Sequence, residues 1–318
     1  MLRRLYDSVR EYQNTGFGND PAYQGRRFIR KDGTFNVVRT GMSWWKRLNP
    51  YHWLLAMPWW KFNVVMICFF LTVNLCFATC YFLLGTDHLL GVLGENEVEI
   101  FIEVFFFSIQ TFTTVGYGRI NPIDLPGNLI AGTEAFVGVL TAAIITGLFF
   151  AKFSLPTANL IFSKNAVMVK NKQGYYQLMF RFANVLDNQL TNIKIETILA
   201  LADNKKHGVW HFYNLILEQS QIHFLPLNWT VVHTITENSP LYNFTAEDLA
   251  NVDAELLILI TVFNDTFAQE VHVRHSYKFD EIVWDAQFDP MFRPAANGSA
   301  TELMLDKIDD YSSIENKN

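Results

Sequence analysis

The chain has 318 residues, of which 50 % are hydrophobic, 15 % aromatic and only 18 % charged, with net charge −6 and mean hydropathy +0.10. Average soluble domains carry roughly 25 % charged residues, so the shift is toward membrane chemistry, although a wholly embedded chain would be more apolar still. This balance excludes a disordered chain and a disulfide-rich scaffold, and the acidic total leaves no basic face for a nucleic-acid backbone.

Residues 1–42 are a polar N-terminal segment. Residues 43–61 (SWWKRLNPYHWLLAMPWWK) mix Trp and Tyr with Lys and Arg, which suits a helix lying in a membrane interface, expected over 50–57. Residues 62–84 are 23 positions without a charge, and at ~1.5 Å per residue they make a helix able to cross a bilayer with some tilt. A long polar stretch precedes this run, so it reads as a span rather than a signal peptide. The three cysteines, Cys68, Cys76 and Cys80, fall inside it and are expected as buried small hydrophobes rather than metal ligands or disulfide partners.

Residues 104–114 (VFFFSIQTFTT) are a third apolar run, too short to cross, that leads into Gly116-Tyr117-Gly118. A re-entrant helix fits, because irregular backbone survives at membrane depth only where protein or water shields it. The second span is expected over 127–153, with Glu134 interrupting its outer turns. Residues 1–61 carry 11 Lys and Arg against 4 Asp and Glu, whereas residues 85–125 carry one Arg and 6 acidic residues. By the positive-inside rule both termini are cytoplasmic and 85–125 faces outside.

The segment Thr111-Phe112-Thr113-Thr114-Val115-Gly116-Tyr117-Gly118 carries the decisive chemistry. Dehydrating potassium requires stacked rings of oxygen at one radius. The backbone carbonyls of Thr114, Val115, Gly116 and Tyr117, with the Thr114 hydroxyl, supply them if four copies meet on an axis. Successive carbonyls point inward only where some residues leave the ordinary backbone regions, and Gly116 and Gly118 permit this at little steric cost. The pore helix aims its negative carbonyl end at the cavity, which favours a cation there.

After residue 155 the pattern changes to short alternating runs at 167–170, 175–182, 193–201, 209–217, 230–235, 256–263 and 269–277, with a helix expected at 246–251 capped by Thr245. Such spacing suits a β-sandwich. Only Gly174, Gly208 and Gly298 lie beyond residue 160, which excludes a Gly-rich dinucleotide fold. The expected domains are therefore 1–42, a membrane pore unit at 43–155, a cytoplasmic β-sandwich at 156–294, and a disordered polar tail at 295–318. No nucleophile–base constellation supports an enzyme and no cofactor is expected, K+ being the permeant ion.

With this filter, the segments Arg26-Arg27-Phe28-Ile29-Arg30-Lys31-Asp32-Gly33, Gly147-Leu148-Phe149-Phe150-Ala151-Lys152-Phe153, Phe162-Ser163-Lys164-Asn165-Ala166, Ser239-Pro240-Leu241 and Arg274-His275-Ser276-Tyr277 make the chain resemble the inward-rectifier potassium channel family, more closely its prokaryotic branch. The resemblance implies a homotetramer whose immunoglobulin-like cytoplasmic sandwich extends the pore, in a plasma membrane (the inner membrane in a bacterium).

By the same resemblance, the bundle-crossing gate falls on Phe150, where an apolar ring closes the path by dewetting, and a lower gate falls around residues 268–271. Gly138 and Gly147 offer bending, or close helix packing. The rectification positions become Ala142, Asn192 and Asp265, one acidic site of three, so weak block by internal Mg2+ or polyamines is expected. The family's pore-helix glutamate and post-filter arginine become Gln110 and Ile120, so that salt bridge is expected to be absent, with Arg119 one residue away. Lys46, Arg47, Lys61, Lys152 and Lys164 are the candidate contacts to anionic lipid headgroups. Histidines 207, 211, 223, 233, 272 and 275 are expected as solvated or core residues. Two other readings are a sandwich that binds a small cytoplasmic ligand and a non-conducting membrane sensor.

Overall fold

A computed structural model of the protein describes residues 27–38, 40–41, 49–156, 158–203, 209–295, 298 and 300–314. The chain divides into a helical unit over residues 41–155 and a β-rich unit that joins the residues before 41 to those from 156 onward.

In the helical unit, α1 (Pro50–Ala56) is capped by Asn49, whose side chain accepts from the His52 amide at 3.2 Å, with proline at the first helical position. The first long helix, α2 (Trp59–Leu84), buries Phe62, Asn74, Ala78 and Tyr81. Cys68, Cys76 and Cys80 are free and exposed, not buried as expected. They lie with Val64, Ile67, Phe69 and Leu71 on its outer surface, since a helix solvated by lipid need not hide its apolar side chains inside protein.

The pore helix α3 (Glu97–Phe112) starts seven residues ahead of the expected apolar run. Asn96 caps it through the Glu99 amide at 3.0 Å, and Glu97 and Glu99 suit the positive end of the helix dipole. An apolar-run criterion discards those acidic turns. A two-residue ribbon, β1 (Leu89–Leu90) against β2 (Asn121–Pro122), ties together the segments flanking the pore loop. The inner helix α4 (Leu125–Phe153) follows, capped by Asp124 on the Gly127 amide at 3.1 Å.

The β-rich unit is a sandwich. One sheet runs β11 (Gln269–Lys278), β10 (Glu255–Asn264), β6 (Leu190–Ala202), β7 (Trp210–Asn214), with β8 (Gln221–Phe224) also on β6. The other runs β12 (Ile282–Trp284), β4 (Ala166–Lys170), β5 (Tyr176–Asn184), β3 (Leu160–Phe162), with β9 (Asn228–Thr234) also on β5. All pairings are antiparallel except β12 with β4. Between the sheets pack Phe180, Phe182 and Trp229 from one side and Ile193, Leu199, Ile258 and Ile260 from the other. A short helix, α5 (Ala246–Asn251), carries the Thr245 capping box at its expected position.

Both outer faces of the sandwich are also covered, which explains why β10 and the second half of β6 (residues 198–202) are apolar on both faces, whereas the first half of β6 alternates. Phe28 and Ile29 pack with Ala200, Trp210, Phe212 and Leu257 on the back of the first sheet. Their amides donate to the Glu255 carboxylate at 2.9 and 3.4 Å, and Arg27 pairs with Glu281 at 2.9 Å.

The back of the second sheet is covered by the C-terminal segment, where Met291, Ile308, Leu303 and Leu305 meet Ala183. The expectation of a disordered tail is corrected here. β13 (Ala286–Phe288) pairs β16 (Tyr311–Ser313), and β14 (Phe292–Pro294) pairs β15 (Thr301–Leu303). Arg181, 1 % exposed, holds this segment by donating to the carbonyls of Asp289, Lys307, Ile308 and Asp310 at 2.5–2.9 Å, with its guanidinium 4.4 Å from the Phe288 ring. A polar composition concealed the order because the fastening is made to main-chain oxygens.

Candidate ion pathway and its supports

The expected filter follows directly on the C-terminus of α3. Thr114, Gly116 and Gly118 have φ of 59°, 52° and 79°, whereas Val115 and Tyr117 between them do not enter the left-handed region. Alternating the sign of φ cancels the curl of the chain and brings successive carbonyls toward one side. Glycine accepts this freely; threonine does so at about 1–2 kcal/mol, so Thr114 is a strained position that the sequence reading assigned to the glycines alone. Its hold is visible. The Gln110 carbonyl accepts the Val115 amide at 2.9 Å and the Gly116 amide at 3.3 Å, and the Thr111 carbonyl accepts the Thr114 amide at 3.0 Å.

Arg119 makes a contact that the sequence reading did not name. Gln110 and Ile120 form no salt bridge, but the Arg119 guanidinium pairs with Glu103, two turns earlier on α3 than Gln110, and Glu103 also accepts the Leu93 amide at 2.8 Å. The loop leaving the filter is thus braced to the pore helix by another acid. Behind the filter lies a cavity of about 290 Å3, lined by Phe107, Gln110, Thr111, Ile120, Ala131 and Ala135 among others.

On α4, Ala142, Thr146 and Phe150 succeed one another at four-residue spacing, all exposed in the single chain, and Phe150 is 74 % exposed. The row fits a pore-lining stripe ending in an apolar ring. Gly138 serves close packing, since a Cβ there would lie 2.1 Å from the Phe112 carbonyl oxygen, whereas Gly147 meets nothing within 4 Å.

The lipid-facing set is altered. Lys46 and Arg47 lie outside the described residues. Lys152, expected at headgroups, is 7 % exposed, and its ammonium donates to the carbonyls of Leu55 and Met57 at 2.9 and 2.7 Å. The rings of Trp59 and Phe62 sit 5.2 Å from that ammonium. The bare C-terminal carbonyls of α1 need donors and a positive charge, which is why the lysine turns inward. Lys61 stays exposed beside the Trp60 ring. Lys164 is paired with Asp309 at 2.9 Å.

In the sandwich, Asn192 and Asp265 lie at one end of the β6–β10 pair. Asn192 takes φ 50° at a bulge, and neighbouring Thr191 donates to Asp265 at 3.0 Å. Ala268, at the start of the expected lower gate, closes the β10–β11 turn with φ 49°. Three of the segments that carry the resemblance meet in the β-rich unit: Phe162 stacks on His275 at 4.3 Å, Tyr277 donates to the Ser163 carbonyl at 2.8 Å, and Arg27 reaches Ser276. Burial, with Arg27 and Lys31 adding repulsion and Glu281 opposing it, pushes the His275 imidazole down to about 4. His233 is a core residue held between the Ile216 carbonyl and the Ser239 hydroxyl, both at 2.7 Å, and burial lowers its pKa. His207 lies outside the described residues.

The inward rectifier potassium channel C-terminal domain matches residues 160–315, and an ion-channel family model matches residues 67–154. Inward rectifier potassium channel Kirbac3.1 of Paramagnetospirillum magnetotacticum is 34 % identical over 284 residues, covering 88 % of this chain and 94 % of the relative. ATP-sensitive inward rectifier potassium channel 12 of Gallus gallus is 27 % identical, and inward rectifier potassium channel 18 of Homo sapiens 25 %; each match covers 87 % of this chain and 70 % of the relative.

Proposed function

Since the chain belongs to the inward-rectifier potassium channel family, we propose that its residues 114–118 are the filter through which four copies conduct K+ passively. The protein is a two-span membrane channel of inward-rectifier type with a cytoplasmic β-sandwich, not an enzyme. Channels of this family are homotetramers. The observation that carries the filter assignment is the alternation of left-handed backbone at Thr114, Gly116 and Gly118, tied to the Gln110 carbonyl. K+ coordinates the carbonyls of Thr114, Val115, Gly116 and Tyr117, without a further cofactor, and Phe150 forms the inner gate.

Rectification is weak, because Asp265 supplies the acidic ring for Mg2+ or polyamines while Ala142 and Asn192 are neutral. Both termini are cytoplasmic in a plasma membrane, the bacterial inner membrane in a prokaryotic host, on the charge asymmetry about the spans. Anionic lipid acts through Lys61 together with Lys46 and Arg47, not through Lys152. The test is rubidium uptake into liposomes holding the purified protein. Barium-blocked uptake competed by potassium but not by sodium supports the pore. A protein silent at every lipid composition and pH, with Phe150→Ala equally silent, would favour the sensor reading instead.

A further inference from the structure

Polar side chains meet inside the helical unit where α2, α3 and α4 touch. Glu134 of α4, Asn74 of α2 and Ser108 of α3 are each 0 % exposed. Tyr81 donates its hydroxyl to Glu134 Oε2 at 2.7 Å, and the Ser108 hydroxyl lies in hydrogen-bond reach of Glu134 Oε1 and, at 3.1 Å, of the Asn74 carbonyl. A carboxyl placed inside a membrane is costly, and here it is met by the hydroxyls of Tyr81 and Ser108.

One turn further along α4, Gly138 rests against the Phe112 carbonyl. The two contacts are in register. Glu134 and Gly138 are four residues apart on α4, as Ser108 and Phe112 are on α3, so one face of each helix is keyed to the other at two points. Between those points sits Gln110, whose carbonyl accepts the Val115 and Gly116 amides of the filter. Apolar packing gives membrane helices little preference for one register, because lipid tails are equally apolar. A directional hydrogen bond beside a backbone-tight notch supplies that preference.

We propose that Glu134 is the positioning residue of the filter. Acting through Ser108, with Gly138 as the notch, it fixes the last turn of the pore helix against the inner helix and so holds the carbonyl ladder of residues 114–117 in its potassium-binding shape. This inference rests on the pore reading above.

The test compares full-length wild type, Glu134→Gln, Glu134→Ala and Ser108→Ala. The readouts are sodium competition in rubidium uptake and the potassium-over-sodium rise in melting temperature of the detergent-solubilised tetramer. Glu134→Gln retains the wild-type values, because its amide still offers an oxygen to Tyr81 and an N–H to Ser108. Glu134→Ala and Ser108→Ala assemble, but sodium competes at least about tenfold better and the potassium-specific rise shrinks by about half or more. Assembled Glu134→Ala with wild-type sodium competition and melting rise overturns the proposal, as does Glu134→Gln impaired to the same degree as Glu134→Ala. If Glu134→Ala does not assemble, Ser108→Ala decides, since it removes one hydroxyl. Silence of the wild type in uptake would sink the pore reading, while the melting rise still decides the role of Glu134.

Discussion

The ammonium of Lys152, on the last turn of the inner helix, donates to the carbonyl oxygen of Met57 at 2.7 Å. The end of the interfacial helix is therefore fastened to the end of the inner helix, one turn from Phe150 on the expected gate.

Lys152→Met keeps the stem and removes the charge. It should destabilise the solubilised tetramer by about 2 kcal/mol per subunit, the range of a lost hydrogen bond to a charged group, read as a lower melting temperature. Its dependence on anionic lipid in uptake should match the wild type. Lys61→Gln should do the reverse, weakening lipid dependence by about 1 kcal/mol of attraction with little change in melting.

Gly116→Ala should abolish rubidium uptake for a conformational reason. A Cβ at this position meets nothing within 4 Å in the chain, yet φ is 52°. Semisynthetic D-alanine at 116, which favours positive φ, should restore conduction where L-alanine does not. Equal loss with both would mean that space, not backbone angle, is limiting.

Voltage ramps with internal spermine should give shallow block in the wild type and less in Asp265→Asn. Asn192→Asp should deepen it, and aspartate tolerates the left-handed backbone that Asn192 adopts. Steep block in the wild type would remove the argument from one acidic ring.

His275 predicts the pH response of the sandwich. Its folded value of about 4 lies below the unfolded value near 6.5, so the unfolded chain binds the extra proton first as pH falls. Stability is unaffected above 6.5 and is lost progressively toward 4, by about 3 kcal/mol per subunit in all. The facing charges are Arg27 and Lys31, which oppose protonation, and Glu281, which favours it. His275→Phe keeps a ring against Phe162 and removes the titration, so chemical denaturation between pH 6.5 and 4.5 should show a markedly smaller decline. Glu255, which burial pushes upward, is common to both proteins and cancels.

The two spans were legible because membrane chemistry writes them as long uncharged runs, and the short helix between them because its run is half-length and leads into the glycines of the proposed filter. The helix at 246–251 was legible down to its cap, since Thr245 and Asp248 form a local box. What stayed hidden depends on contacts distant in sequence. Nothing adjacent to Lys152 says that its ammonium will find Leu55 and Met57, and nothing near Arg181 announces carbonyls more than a hundred residues away. The outer turns of α3 were lost because Glu97, Glu99 and Glu103 look like loop composition until Arg119 and the Asn96 cap are placed. Thr114 could not be ranked with the glycines, because its strain is imposed by the loop and not by its residue type.

The four hydrogen bonds by which Arg181 grips the C-terminal segment all end on main-chain oxygens. A bond to a main-chain oxygen is blind to side-chain identity, unlike the contact with the Phe288 ring. Those four bonds therefore survive a change of side chain at Lys307, whereas one substitution at Arg181 removes all four at once and leaves the segment to its strand pairings and to the apolar contact of Ile308 with Met291 and Ala183.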